Sequence, residues 1–128
     1  MSIHDLRGQR VTVVEVGPRD GLQNEHANVS TAAKIAFVDL LSDAHLPVIE
    51  VSAFVSPKWV PQMADASEVF AGITRRAGTR YTALVPNLAG LDRAMAAGVA
   101  EIAICQRILP AGSILARNPL ESGADPQT

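Results

Sequence analysis

Val11-Thr-Val-Val-Glu-Val-Gly-Pro-Arg-Asp-Gly-Leu-Gln-Asn-Glu25 decides how the rest of the chain is read. Its first six residues are mostly β-branched and fit a strand, since such side chains pack well on a pleated surface and lose freedom in a helix. The remainder opens a stretch, residues 17–29, that is rich in Gly, Asp and Asn and reads as a loop. Loops from a strand to a helix usually have about 2–6 residues, so one of about 13 residues is a candidate for function.

Beyond that loop, Ser30 or Thr31 can cap a helix whose apolar positions include Ile35, Val38 and Leu41. Pro47 closes the next turn, and Val48-Ile-Glu-Val-Ser52 reads as a second strand. Another long loop, residues 53–64, precedes Asp65-Ala-Ser-Glu68, spaced like a capping box for a helix reaching Arg76. After Gly78, residues 80–85 make a third strand; Asn87 caps a third helix through Ala97, Gly98 stops it, and residues 100–105 make a fourth strand. Strand starts near 11, 47, 80 and 100 give spacings of 36, 33 and 20 residues, long enough for crossover helices between parallel strands. The strands are nearly all apolar, as in a sheet covered on both faces. Residues 106–128, with three prolines, two glycines and no clear period, are expected to be irregular.

Composition removes several classes of function. At 48% hydrophobic and 19% charged, the 128 residues are too apolar for a disordered chain. A net charge of -2 gives no basic excess for nucleic acid or anionic lipid. No apolar run approaches the ~20 residues of a membrane helix. The single cysteine, Cys105, cannot form an internal disulfide, and the first residues lack an apolar leader, so a cytoplasmic location is expected.

In parallel α/β sheets, reactive groups collect after the carboxyl ends of strands. In the first loop, Asp20 is the hard oxygen ligand that Mg²⁺ or Mn²⁺ prefers, Arg19 could hold an anionic oxygen, and Gln23 lies one turn further on. The same Pro-Arg-Asp-Gly could equally be a β-turn with a surface ion pair. Glu50 stands in an apolar strand, where a charge is costly unless paired. Pairing with Arg19 across adjacent strand ends resolves the cost, in a site or in a purely structural role. In the second loop, Trp59 and Met63 read as loop packing and Lys58 as solvated. Asn87 would face the same mouth as a helix cap. His4, His26 and His45 show no metal-ligand spacing, and Cys105 has no partner base nearby.

The residues Val14–Glu25, with Val48-Ile-Glu-Val-Ser52, Phe54-Val-Ser-Pro-Lys-Trp-Val-Pro-Gln-Met63, Leu84-Val-Pro-Asn-Leu88 and Ala97–Ile104, together resemble the hydroxymethylglutaryl-CoA lyase family. The match runs from about residue 11 to 104. Isopropylmalate and homocitrate synthases share the Arg-Asp-Gly core, but the longer strings look like the lyase. The resemblance implies the amino-terminal portion of a TIM (β/α)8 barrel. It also implies metal-dependent cleavage of 3-hydroxy-3-methylglutaryl-CoA to acetyl-CoA and acetoacetate, a step of leucine catabolism. By resemblance, Asp20 is a metal ligand and Arg19 contacts substrate oxygens. Glu50 is needed for activity by positioning Arg19, and Gln23 lines the pocket. The partner is then a CoA thioester, and the cofactor Mg²⁺ or Mn²⁺.

The resemblance also implies two histidines of a His-x-His motif, an asparagine and a loop cysteine, for which this sequence has no counterpart. Residues 1–105 are therefore expected to be a partial barrel domain and 106–128 a non-family tail, the chain inactive by itself. A family-like Ile-Phe-Ala-Ser-Ala-Ser coded ATC TTC GCC AGC GCA TCC, less two bases, reads ATC TGC CAG CGC ATC. That encodes Ile104-Cys-Gln-Arg-Ile108, so a frameshift is the expected origin of the tail. The competing reading is a non-catalytic half-barrel, a binding fragment or degraded gene product, whose open edges and uncovered inner face favour homo-oligomers or aggregation.

Overall fold

A computed structural model of the protein describes residues 7–104. The expectations for Cys105, for His4 and for residues 106–128 lie outside the described residues. Four strands, β1 (Val14–Glu15), β2 (Val48–Ala53), β3 (Arg80–Leu84) and β4 (Glu101–Ala103), form one sheet. Their connections carry α1 (Thr31–Asp43), α2 (Ala66–Gly72) and α3 (Leu88–Ala96). Every pairing is parallel, and the strand order is β1-β2-β3-β4. Parallel crossovers are right-handed almost without exception, so stepping always in one direction places successive helices on one face. That is the construction of a barrel wall, whereas a doubly wound sheet reverses direction.

The apolar core lies between this sheet and its helices. Ile49 and Val51 of β2 and Tyr81 and Ala83 of β3 pack with Val38 of α1, Val69 and Phe70 of α2, and Ala94 of α3. The opposite face of β2 carries Glu50 and Ser52, by the two-residue alternation of a strand. Both are buried, as is every residue of β2, so the inner face is not left uncovered along this strand. Large apolar side chains are exposed at both outer strands and their flanks, Val11, Val13 and Val14 at one edge and Ile102 and Ile104 at the other, as well as at Leu40, Trp59, Leu88 and Met95 on the helices and second loop.

Helix ends explain where the elements stop. Ser30 Oγ accepts from the Ala33 amide and Asn87 Oδ1 from the Gly90 amide, the caps expected from the sequence. Gly98, at φ 73°, follows α3 as its left-handed stop. Strand β1 is shorter than the β-branched run Val11–Val16. In register, Val14 pairs with Val48, so residues 11–13 would face residues 45–47. That partner stretch contains His45 at φ 60° and Pro47, and offers no ladder. Helix α2 ends at Gly72 rather than Arg76, because Ile73 turns extended into the core and the Thr74 amide donates to Asp39 of α1 at 2.9 Å. The Asp65 capping box does not form. Its carboxylate makes no cap bond and is taken by Lys34 and Thr31.

Candidate functional site

The loop after β1 begins as one tight π-helical turn, Gly17–Gly21, wound about a single acceptor. The Val16 carbonyl receives the amides of Arg19, Asp20 and Gly21 at 3.2, 2.7 and 3.3 Å. Pro18 at the head of the turn needs no amide acceptor and is buried, and the Gly17 amide donates to Glu15 Oε1 at 2.8 Å. This winding packs the turn against β2 and turns Arg19 toward Glu50.

Arg19 Nε donates to Glu50 Oε1 at 2.5 Å, with the two side chains 19% and 8% exposed. The pairing inferred from sequence is thus present, and it neutralises a carboxylate that the strand would otherwise bury alone. Arg19 Nη1 lies 3.3 Å from Asp20 Oδ1 and 3.5 Å from Gln23 Oε1. The structure therefore brings Arg19, Asp20, Gln23 and Glu50 onto one guanidinium. These contacts use Nε and Nη1, and no bond from Nη2 occurs among the described residues. The β2 ladder is irregular between Glu50 and Ser52, where a register shift against β3 re-aims the strand beside the pair.

Asp20 is half exposed and turned toward Arg19. Among the described residues, no group of three or more His, Cys, Asp or Glu could hold a metal ion. One carboxylate leaves most of an octahedral shell unfilled, so the described residues by themselves do not fit a divalent metal centre.

The second loop departs from the sequence expectation. Met63 is buried and receives the Ser52 hydroxyl on its sulfur at 3.5 Å, but Trp59 is 84% exposed and does not pack. Its turn is fixed nonetheless, since the Trp59 and Val60 amides both donate to the Ser56 carbonyl at 3.0 Å. Lys58, His26 and His45 are exposed. Asn87 is occupied as a cap beside a small, shallow apolar groove of about 50 Å³, lined by Val85, Leu91, Ile102 and Ile104 among others, on the β3–β4 side.

Sequence reasoning missed Lys34. It is buried on α1 and donates to Asp65 Oδ1 at 2.7 Å and to the Gln62 carbonyl. Burial raises the affinity of Asp65 for its proton, but hydrogen bonds from Lys34 and Thr31 and the lysine charge outweigh it and hold the carboxyl below its ordinary value. The signal was legible as a lysine at the i, i+3, i+4, i+7 spacing of Thr31, Lys34, Ile35 and Val38.

Sequential parallel strands, helices on one face and a fixed cation at a strand end define a segment of a (β/α)-barrel protein with its reactive loops at the carboxyl edge. Comparison with known proteins gives the family: residues 10–112 match the HMGL-like family, and the chain belongs to it. It is 58% identical over 96 residues to the mitochondrial hydroxymethylglutaryl-CoA lyase of Gallus gallus, covering 75% of this chain and 32% of that protein. The crystal structure of hydroxymethylglutaryl-CoA lyase from Pseudomonas aeruginosa superposes with a TM-score of 0.72 at 59% identity, over 74% of this chain and 32% of that one. An HMG-CoA lyase from A. baumannii, in complex with coenzyme A and 3-methylmalate, has a TM-score of 0.72 at 42% identity, over 81% and 33%. The chain thus spans about a third of the length of the curated relatives it matches. The fold expected from sequence, part of a barrel of this family, holds.

Proposed function

We propose that this chain carries the cation-bearing corner of a hydroxymethylglutaryl-CoA lyase site, the cleavage yielding acetyl-CoA and acetoacetate from 3-hydroxy-3-methylglutaryl-CoA. The observation that carries the reading is the Arg19 guanidinium held by Glu50 at 2.5 Å, with Asp20 and Gln23 on its Nη1. In a retro-Claisen cleavage the C3 hydroxyl loses its proton, the C–C bond breaks, and negative charge accumulates on the thioester oxygen. A fixed cation lowers that barrier because it needs no reorganisation as the charge develops. Arg19 would supply it, Glu50 would hold it in place, and Gln23 would line the pocket. The relative solved with coenzyme A supports a CoA thioester as ligand.

Metal dependence, on Mg²⁺ or Mn²⁺, remains part of the proposal, with Asp20 the one carboxylate this site contributes. We infer accordingly that the 128-residue chain does not turn over by itself. Residues 1–105 would act as a partial barrel domain and 106–128 as a tail of frameshift origin, although residues 106–112 still fall within the family match. Sequencing the coding DNA past Ile104 tests that origin; neighbouring frames without family-like sequence overturn it. The single cysteine favours a reducing compartment, and the cytoplasm is the proposed one. No helix among the described residues is long and apolar enough to cross a membrane.

Titration with 3-hydroxy-3-methylglutaryl-CoA, followed by an assay of its cleavage with added Mg²⁺, tests the site. Binding that is lost in Arg19→Met, without turnover, is the expected result; equal binding by the variant overturns the assignment. A second reading, a non-catalytic associating fragment, is favoured by the exposed apolar residues at the two outer strands.

A further inference from the structure

We propose that Lys34 is a positioning residue for the Arg19 corner, acting through a hydrogen-bonded strap that joins the two long loops. The proposal rests on the function proposed above for that corner. From α1, Lys34 Nζ reaches the Gln62 carbonyl and Asp65 Oδ1, while Thr31 Oγ1 donates to Asp65 Oδ2 at 2.6 Å. The Gln62 side-chain amide then crosses to the first loop and donates to the Glu25 carbonyl at 3.1 Å. There the Glu25 amide bonds the Leu22 carbonyl at 3.2 Å, and Asn24 Nδ2 bonds the Asp20 carbonyl at 2.8 Å. A connected path therefore runs from the helix to the backbone of Asp20, although Lys34 touches neither Arg19 nor Asp20.

Stability alone is a poor account of this arrangement. An apolar side chain of similar volume often replaces a buried ion pair at no loss, and Lys34 lies on the helix face that also carries Ile35 and Val38. The ammonium adds direction: it holds a backbone carbonyl and a carboxylate at once, which fixes the segment Pro61–Met63 over α1. Met63, fastened to Ser52 on β2, anchors that segment from its other side. With the backbone of that segment fixed, the Gln62 side chain starts within reach of the Glu25 carbonyl, and the loop that follows the Arg19 turn is tied at its far end.

Amide hydrogen exchange on the full 128-residue chain tests the strap. In Lys34→Met and in Gln62→Ala, exchange at the Asn24 and Glu25 amides should quicken about tenfold, with β2 amides unchanged, since losing one hydrogen bond of the strap, charged at Lys34 and neutral at Gln62, opens local structure by about that factor. Lys34→Arg should restore protection, and both loosened variants should bind 3-hydroxy-3-methylglutaryl-CoA about tenfold more weakly. Unchanged exchange at Asn24 and Glu25 in Gln62→Ala, or equal acceleration throughout β2, overturns the proposal. Gln62 is partly exposed, so its variant keeps the test decisive should Lys34→Met fail to fold. Faster loop exchange in a chain that binds no thioester would uphold the strap and overturn the lyase assignment instead.

Discussion

Glu50 shows how one residue can be read at two levels. A lone carboxylate in the run Val48–Ala53 demands a partner on physical grounds, and the partner found is Arg19, the cation of the neighbouring loop. Glu50→Gln keeps the shape but leaves the guanidinium with only the half-exposed Asp20 carboxylate as counter-charge. Denaturant titration should show a loss of about 2 kcal/mol, and a double-mutant cycle with Arg19→Met a coupling of about 1–3 kcal/mol. Asp65 gives a separate signature in acid. Its folded pKa lies below the unfolded value, so its contribution is complete above about pH 4 and is lost as pH falls through the lowered value. Asp65→Asn removes that dependence, so unfolding curves of the two proteins taken between about pH 2 and 6 should differ in slope on the acid side. The Arg19–Glu50 pair was legible because both charges stand out against apolar or Gly-rich surroundings. The bonds of Asp65 were not, since its sequence spacing suits a cap equally well and only the proximity of α1 decides its partner.

Among the elements, α3 separates capping from packing. Asn87→Ala should cost about 1 kcal/mol through the lost bond to the Gly90 amide. Helix propensity would make Gly90→Ala stabilising by about 1 kcal/mol, yet a Cβ there would collide with the Phe54 carbonyl oxygen, a backbone atom with little room to move. The steric effect wins, and thermal melts should rank Gly90→Ala below the wild type. Element types were readable from β-branched runs, apolar periods and caps, because each depends on residues close in sequence. Element ends were readable only where a local stop existed, as at Gly98. Strand β1 is cut short by the backbone of residues 45–47, and α2 by a carboxylate on α1, both contributed from more than thirty residues away.

At the scale of the molecule, the outer strands each have a neighbour on one side only among the described residues. Unpaired backbone edged by exposed valine and isoleucine favours pairing with another chain. Sedimentation should therefore show association that grows with concentration, and Val14→Lys together with Ile102→Lys should reduce it; a monomer at all concentrations would remove this expectation. Strand order carries a further consequence, one that concerns time. Each strand pairs with the strand of the unit just before it and with none further back. A chain leaving the ribosome thus meets its next partner already in place, and growth can proceed one unit at a time, like courses laid on a wall. Loop closures stay short throughout, and no strand need wait exposed for a distant partner in order to join this sheet.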